Sequence, residues 1–104
     1  MNISATKSLL QDRLASKSKH LEKITTSLRA EHSKSFSEQA MERESDEVKE
    51  QLKASIEIEI NQINAALDRI ESDTYTACSK CDGPIGQNRL AALPYTQLCI
   101  NCAD

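Results

Sequence analysis

Apolar residues recur at intervals of three and four positions through the first two thirds of the chain. The first stripe consists of Ile3, Leu10, Leu14, Leu21, Ile24 and Leu28. The second consists of Val48, Leu52, Ile56, Ile60, Ile63, Leu67 and Ile70. No glycine or proline precedes Gly83, so neither stripe is interrupted. The pattern predicts two long amphipathic helices of the coiled-coil type, each about 30–35 residues and about 45–50 Å long.

One passage fits this prediction less well. The segment SIEIEI, residues 55–60, alternates between apolar and polar positions as a strand does. No turn residues bracket it, and the helical stripe continues on both sides, so we interpret it as helix. Ile58 then falls off the stripe, and it either packs against the C-terminal part of the chain or is exposed.

The stretch SKSFSEQAME, residues 33–42, separates the two stripes. Ser35 and Glu38 match the S-x-x-E capping box, which predicts that the second helix begins here. A short link makes local pairing of the helices inexpensive in chain entropy. We therefore predict an antiparallel coiled-coil hairpin over residues 1–74, with its tip near residues 33–40, and we expect a monomer. A coiled-coil dimer is the alternative.

Charge differs between the two predicted helices. Residues 1–37 carry seven Lys or Arg and three Asp or Glu, whereas residues 38–77 carry four and eleven. This asymmetry modestly favours their pairing. The net charge of −3 argues against a general nucleic-acid binder, which needs clustered Lys and Arg to neutralise phosphates. His20 and His32 are the only histidines, and no Ser or Cys has an evident base, so we do not expect an enzyme.

Cysteine usage depends on the cellular compartment. No apolar run precedes the first charged residues, and no later segment is long enough to span a membrane. We therefore expect a cytoplasmic protein without membrane association, where disulfides rarely persist. This favours metal ligands or redox thiols over disulfides for the four cysteines.

The cysteines form two C-x2-C pairs separated by seventeen residues: Cys78 and Cys81, then Cys99 and Cys102. This spacing is a strong zinc signature, and four thiolates leave no open coordination position. We predict an all-α protein in which the two helices are followed by a zinc finger at residues 75–104. This finger would hold one structural Zn²⁺. The tight turn after the first pair is assigned to Gly83-Pro84 and Gly86. A redox enzyme is disfavoured because no α/β scaffold is predicted, although oxidation-sensitive zinc release stays open.

The finger has a wider pattern than its cysteines. The pattern is carried by Cys78, Cys81, Ile85, Gly86, Arg89, Leu90, Ala92, Pro94, Leu98, Cys99 and Cys102. It closely resembles the zinc finger of the bacterial DksA/TraR family. The resemblance implies a transcription regulator that binds RNA polymerase directly. Its hairpin would enter the secondary channel and modulate initiation without specific DNA binding. The alternative function is a zinc-stapled interaction module with a different partner.

The resemblance also assigns the hairpin tip. Counting back from Cys78 without gaps places the family's Asp-x-x-Asp-x-Ala motif on Ser35, Glu38 and Ala40. Glu38 is then the main contact to the catalytic region of the polymerase, with Phe36 as an apolar contact beside it. Ser35 replaces the first acid of the motif and removes one charge.

Two further expectations follow from the resemblance. Some members cooperate with ppGpp, the alarmone of the stringent response, through basic side chains whose positions here hold Gln62, Leu93 and Ala103. None of the three is basic, so we predict weak or absent ppGpp coupling. Arg89 is expected either to contact the polymerase or to brace the finger against the hairpin through an acid such as Glu71 or Asp73.

Overall fold

The protein is described by a computed structural model covering residues 2–32 and 36–103, with side chains described for residues 2–29 and 47–103. These residues form three helices: α1 (Ile3–His32), α2 (Phe36–Glu71) and α3 (Gln87–Ala92). The described residues form no strand, and their single isolated bridge joins Ala77 to Pro84. The prediction of an all-α fold with two long helices is confirmed, and the alternating segment 55–60 lies inside α2.

The start of α1 is fixed by a side-chain cap. The Oδ1 atom of Asn2 accepts a hydrogen bond from the backbone N–H of Ala5 at 3.1 Å. The first N–H groups of a helix have no partner within the helix, and an asparagine at this position satisfies one of them. Helix α1 therefore begins at Ile3 because of its sequence and not only because of its packing.

The end of α2 is a Schellman turn. The N–H of Thr74 donates to the carbonyl of Arg69 at 2.8 Å, and the N–H of Asp73 donates to that of Ile70 at 3.3 Å. Asp73 occupies the left-handed position of the motif, with φ 59°, where glycine is usual. This turn ends α2 and directs the chain into the cysteine-rich segment.

Helices α1 and α2 run antiparallel. As residue numbers rise along α1, the numbers of their partners fall along α2. These contacts are Lys7 Nζ to Glu71 Oε1 at 2.6 Å, Lys17 Nζ to Glu59 Oε2 at 3.2 Å, and Ser27 Oγ to Lys49 Nζ at 2.9 Å. The first two are exposed or half-exposed ion pairs, which contribute little to stability because solvent screens them. Apolar burial must therefore supply most of the pairing energy.

The chain forms two compact units, residues 1–14 with 61–104 and residues 15–60. The core of the first unit combines residues of both long helices with residues of the finger: Leu10, Ile63, Ala66, Ile70, Tyr75, Cys78, Ile85, Leu90 and Cys99. The core of the second unit consists of Ile24, Leu28 and Ile56, flanked by Leu21 and Ile60. The finger and the helix segments 3–14 and 61–71 thus share one core.

Burial departs from the predicted stripe in the second unit. Val48 and Leu52 are 64% and 40% exposed, although both continue the pattern of Ile56. Ile58 is 60% exposed, which resolves the alternative left open by the sequence. None of the helices in the described part of the chain combines the length and apolarity that crossing a membrane requires.

Two isoleucines of α2 test this burial pattern. Ile63 is fully buried, so Ile63→Ala should lower the free energy of unfolding of the zinc-loaded protein by about 2–5 kcal/mol. Ile58→Ala, at an exposed site of the same helix, should change it by less than about 0.5 kcal/mol. Urea unfolding followed by circular dichroism measures both. Equal effects of the two substitutions would contradict the assigned core.

Candidate metal centre

Four cysteine sulfurs meet in the finger. The Sγ atoms of Cys78, Cys81, Cys99 and Cys102 all lie within 4.8 Å of one another, and none is in a disulfide. Cys78 and Cys99 are buried, Cys102 is partly buried and Cys81 is exposed. The two pairs predicted from the sequence are therefore brought together into one cluster.

The cluster has the dimensions of a zinc site. Four sulfurs about 2.3 Å from a central ion define a tetrahedron with edges of about 3.8 Å. The Sγ atoms of Cys81 and Cys99, one from each pair, are 3.7 Å apart. This distance is far longer than a disulfide bond, about 2.05 Å, and agrees with the edge of the tetrahedron. The donor set is also the one that zinc prefers.

Backbone N–H groups support the sulfurs in the same way at both pairs. The Cys78 sulfur accepts from the N–H groups of Cys99, Cys81 and Lys80. The Cys99 sulfur accepts from those of Cys102 and Asn101. Within each pair the donors are therefore the residues two and three positions after the first cysteine. Such hydrogen bonds favour the thiolate form, which is the form that binds metal.

The thiols influence one another's ionisation. Hydrogen bonds from backbone N–H groups, that of Cys99 foremost, lower the pKa of Cys78 to about 6. The neighbouring sulfurs, Cys99 first, raise the pKa of Cys102 to about 12. Close thiolates repel each other, so without a cation the cluster loses its protons over a wide pH range. A divalent cation removes this repulsion and allows all four sulfurs to ionise together.

The turn after the first pair works differently from the sequence prediction. The left-handed residue is Asp82, with φ 60°, and no glycine of the described chain has a positive φ. Gly83 lies close to the site, because a Cβ atom there would be 3.3 Å from the Cys81 sulfur, a tight contact that requires a small shift. A Cβ atom on Gly86 would meet nothing within 4 Å. The first turn thus has its left-handed residue at Asp82, and Gly83 leaves room beside the metal ligand Cys81.

Arg69 of α2 joins the helix to the finger. Its guanidinium donates to the carbonyl oxygens of Thr96 at 2.8 Å, Tyr75 at 3.0 Å, Ala77 at 3.0 Å and Thr74 at 3.3 Å. It also lies 5.8 Å from the centre of the Tyr75 ring. One planar fork therefore satisfies carbonyls on both sides of the finger, a task that the point charge of a lysine cannot perform.

Arg69 was not identified from the sequence, where the bracing role was given to Arg89. The Nε atom of Arg89 donates to the carbonyl of Leu98 at 2.9 Å, so its contact stays within the finger. The described residues show no ion pair between Arg89 and Glu71 or Asp73, and Glu71 pairs with Lys7 instead. The other expected role of Arg89, contact with a polymerase, stays a prediction. Arg69 could have been noticed as the only basic residue in the last turns of α2.

Two tyrosines complete the support of the finger. Tyr75 is 2% exposed, and its hydroxyl donates to the carbonyl of Pro94 at 2.8 Å. Burial raises the pKa of Tyr75 above its ordinary value, so the hydroxyl remains a donor at neutral pH. The hydroxyl of Tyr95 accepts from Nη1 of Arg13 on α1 at 3.3 Å. Each of the two tyrosines in the chain is therefore used to attach finger segments.

Comparison with known proteins agrees with this architecture. The family model for the DnaK suppressor protein-like N-terminal domain matches residues 7–70. The model for the prokaryotic dksA/traR C4-type zinc finger matches residues 73–104. The chain belongs to the DksA/TraR family. Its four cysteines are accordingly the ligands of one structural zinc ion, as predicted.

Individual relatives share parts of this pattern. An uncharacterized protein of Aquifex aeolicus (strain VF5) is 40% identical over 45 residues, which are 43% of this chain and 31% of that protein. The match thus spans about a third of the relative's length. The structure of transcription factor DksA2 from Pseudomonas aeruginosa superposes with a TM-score of 0.84. It is 24% identical, and the superposition covers 95% of this chain and 78% of the other, so it supports the DksA-type fold.

Only some of the other predicted site residues lie in the described part of the chain. Ser35 and the side chains of Phe36, Glu38 and Ala40 lie outside the described residues, so the assignment of the tip remains a prediction. The positions aligned with basic residues of ppGpp-responsive members are described: Gln62 is exposed, Leu93 is 49% exposed and Ala103 is partly buried.

A groove of about 640 Å³ lies beside the metal centre. Apolar side chains form much of its wall, among them Pro84, Ala92, Leu93 and Ile100. Ile100, between the second pair of cysteines, is 76% exposed. The finger therefore offers an accessible apolar surface next to the ligands Cys81 and Cys99.

Zinc removal tests the metal centre. Cys78 and Cys99, one ligand from each pair, belong to the core of the first unit. Chelation at neutral pH should therefore unfold the finger. The expected readouts are loss of the near-ultraviolet circular dichroism of the two tyrosines and release of one zinc per chain. Cys102→Ser should reproduce the loss. Retention of the tyrosine signal after complete zinc removal would contradict the shared core.

Substitution of Arg69 tests the brace. Arg69→Lys keeps the charge but loses the fork, leaving carbonyls of the finger without donors. The free energy of unfolding should fall by about 1.5–3 kcal/mol. Arg89→Lys, which affects one hydrogen bond, is the matched control and should cost about 1 kcal/mol or less. A larger effect at Arg89 would show that it is the main brace.

Proposed function

We propose that the protein is a DksA-like transcription regulator that binds RNA polymerase directly. The observation that carries the proposal is the joint family match, to the DksA-like N-terminal domain over residues 7–70 and to the C4 finger over residues 73–104. Sequence identity to DksA2 is low, so that comparison supports the fold and leaves the partner as a proposal.

The helix pair suits insertion into a channel. Helices α1 and α2 contain 30 and 36 residues, about 45 and 54 Å at 1.5 Å per residue. In the proposed mode of action, the predicted tip near residues 33–40 enters the secondary channel and modulates initiation at the polymerase active centre. The zinc ion holds the finger and has no chemical step of its own, because four thiolates complete its coordination.

DNA contact is not part of the proposal. The finger contains only two basic residues, Lys80 and Arg89, and the whole chain carries a net charge of −3. Zinc bound by four thiolates adds two further negative charges. A protein with this balance lacks the clustered cations that phosphate neutralisation requires.

The tip acid provides the functional test. Glu38→Gln removes the charge but keeps a residue that can complete the capping box, so it separates contact from helix capping. We expect it to bind core polymerase nearly as the unmodified protein does. Its effect on transcription should be weaker by about tenfold or more, as expected for loss of a charge-assisted contact. Multi-round transcription with purified polymerase measures the effect.

The matched control is Glu50→Gln, an equal charge change at an exposed position of α2. It should leave transcription unchanged. No binding of the unmodified protein to polymerase at micromolar concentration would refute the proposed function. Full activity of the Glu38→Gln protein would refute only the role of the tip acid and would leave polymerase binding standing.

The same transcription assay with and without ppGpp should show no strong synergy, because Gln62, Leu93 and Ala103 are not basic.

The groove on the finger favours a second candidate function. A zinc-stapled interaction module would use the apolar wall formed by Leu93 and Ile100 to bind a different protein. Leu93→Ser with Ile100→Ser should then abolish capture of that partner and leave zinc content unchanged. Full transcriptional activity of the same variant would favour the polymerase function instead.

A further inference from the structure

The four metal ligands of the finger differ in how closely they are packed into the protein. Cys78 and Cys99 belong to the apolar core of the first unit, and Cys102 packs against that core. Cys81 is exposed and is not among the residues of this core. Displacement of Cys78 or Cys99 from the metal would disturb buried packing, whereas Cys81 can move without doing so. Cys81 is therefore the ligand whose loss costs the fold least.

The groove of about 640 Å³ beside the metal centre leads to this ligand. Cys81 and Cys99 both line the groove, and of these two only Cys81 is exposed. Gly83 places no side chain beside the Cys81 sulfur, where a Cβ atom would lie only 3.3 Å away. A groove of this volume is in the range that holds a small molecule. A ligand from solvent can thus reach the Cys81 sulfur without any opening of the core.

Ligand exchange at a four-coordinate zinc ion needs room for an incoming donor. Four thiolates leave no open position, but zinc sites can expand to five ligands in a transition state. The incoming donor must therefore approach from a side that protein atoms do not fill. The groove is such a side, because it is open to solvent next to Cys81 and Cys99.

We propose that a small, neutral thiol enters this groove and replaces Cys81 as a zinc ligand, so that zinc is loaded and unloaded from this side. The incoming sulfur forms a bond to zinc with its own electron pair, and the bond between zinc and the Cys81 sulfur breaks. The proton lost by the incoming thiol balances the proton that the freed Cys81 sulfur takes up. No atom is oxidised or reduced. The inference is independent of polymerase binding.

The chemistry of the groove selects this kind of ligand. Soft thiolate sulfur is a preferred donor for zinc. With four thiolates the metal centre carries two negative charges, which repel an anionic chelator at short range. The groove lining contains one charged side chain, Arg89, whose Nε atom donates to the carbonyl of Leu98. Much of the remaining wall is apolar and includes Leu93 and Ile100, so a thiol with an uncharged body fits best.

Release of zinc by unfolding of the finger is the alternative route. An acceptor would then capture only zinc that has already left, and the rate would not depend on the concentration of an acceptor in excess. Entry through the groove instead makes the acceptor a participant in the slow step. The rate of zinc loss should then rise in proportion to acceptor concentration, so kinetics distinguishes the two routes.

Zinc transfer from the full-length, zinc-loaded protein to dimercaptopropanol, a small neutral dithiol, tests the proposal. Zinc remaining on the protein is measured at intervals after rapid desalting, with the dithiol in excess and oxygen excluded. We expect a rate proportional to dithiol concentration. Ala92→Leu narrows the groove and Ile100→Ala widens it. The first should slow transfer on the order of fivefold and the second should speed it by a similar factor, as expected for a small steric change in the transition state.

The matched control is Ile58→Ala, at an exposed position of α2 outside the groove, which should leave the rate unchanged. Circular dichroism and zinc content before transfer verify that each variant is folded and loaded. A rate independent of dithiol concentration would overturn the proposed route. Equal rates for Ala92→Leu, Ile100→Ala and the unmodified protein would do the same.

Chemical labelling tests the assignment of Cys81 without any substitution. The zinc-loaded protein is treated briefly with iodoacetamide and then digested with trypsin. Cleavage after Lys80 and Arg89 places Cys78, Cys81 and the second cysteine pair on three separate peptides. Mass spectrometry should find Cys81 modified first, because it is the exposed ligand beside the groove. Earlier modification of Cys78 or of the second pair would overturn the assignment.

Discussion

Four thiolates must share a small volume in this protein, and the rest of the fold depends on how that constraint is met. Their sulfurs lie within 4.8 Å of one another, so the fully ionised cluster is unfavourable without a cation. Cys78 and Cys99 also belong to the apolar core that includes Leu10 of α1 and Ile63 of α2. The zinc ion and the hydrophobic core therefore stabilise one another, which explains how a chain of 104 residues with one Phe and no Trp maintains its fold.

The polar contacts between α2 and the finger depend on Arg69. A short finger with little regular structure leaves carbonyl groups without backbone partners, and buried carbonyls without donors are costly. Arg69 lies in the last turns of α2 and reaches carbonyls on both sides of the finger loop. The Schellman turn at Asp73 directs the chain back over this guanidinium. The helix end thus provides both the direction of the chain and the donors that hold it.

The sequence was sufficient wherever a period or a spacing carried the information. The 3-4 stripe predicted α1 and α2, and the C-x2-C spacing predicted the metal ligands. It was insufficient for contacts distant in the chain, such as those of Arg69 and Tyr75, which have no local signature. It also placed Val48 and Leu52 in the seam, because periodicity gives the face of a residue but not the extent to which a partner covers it. The six-residue α3 is too short to produce a period, so it was not predicted.

The lysines of α1 differ in whether they take part in the packing of the two long helices. Lys7 and Lys17 are paired across the two helices, whereas Lys19 and Lys23 have no ion-pair partner among the described residues. Exposed lysines without an ion-pair partner contribute little to stability, so folding alone does not require Lys19 and Lys23. Zinc binding makes an already acidic chain more negative, which weakens long-range attraction to any acidic surface.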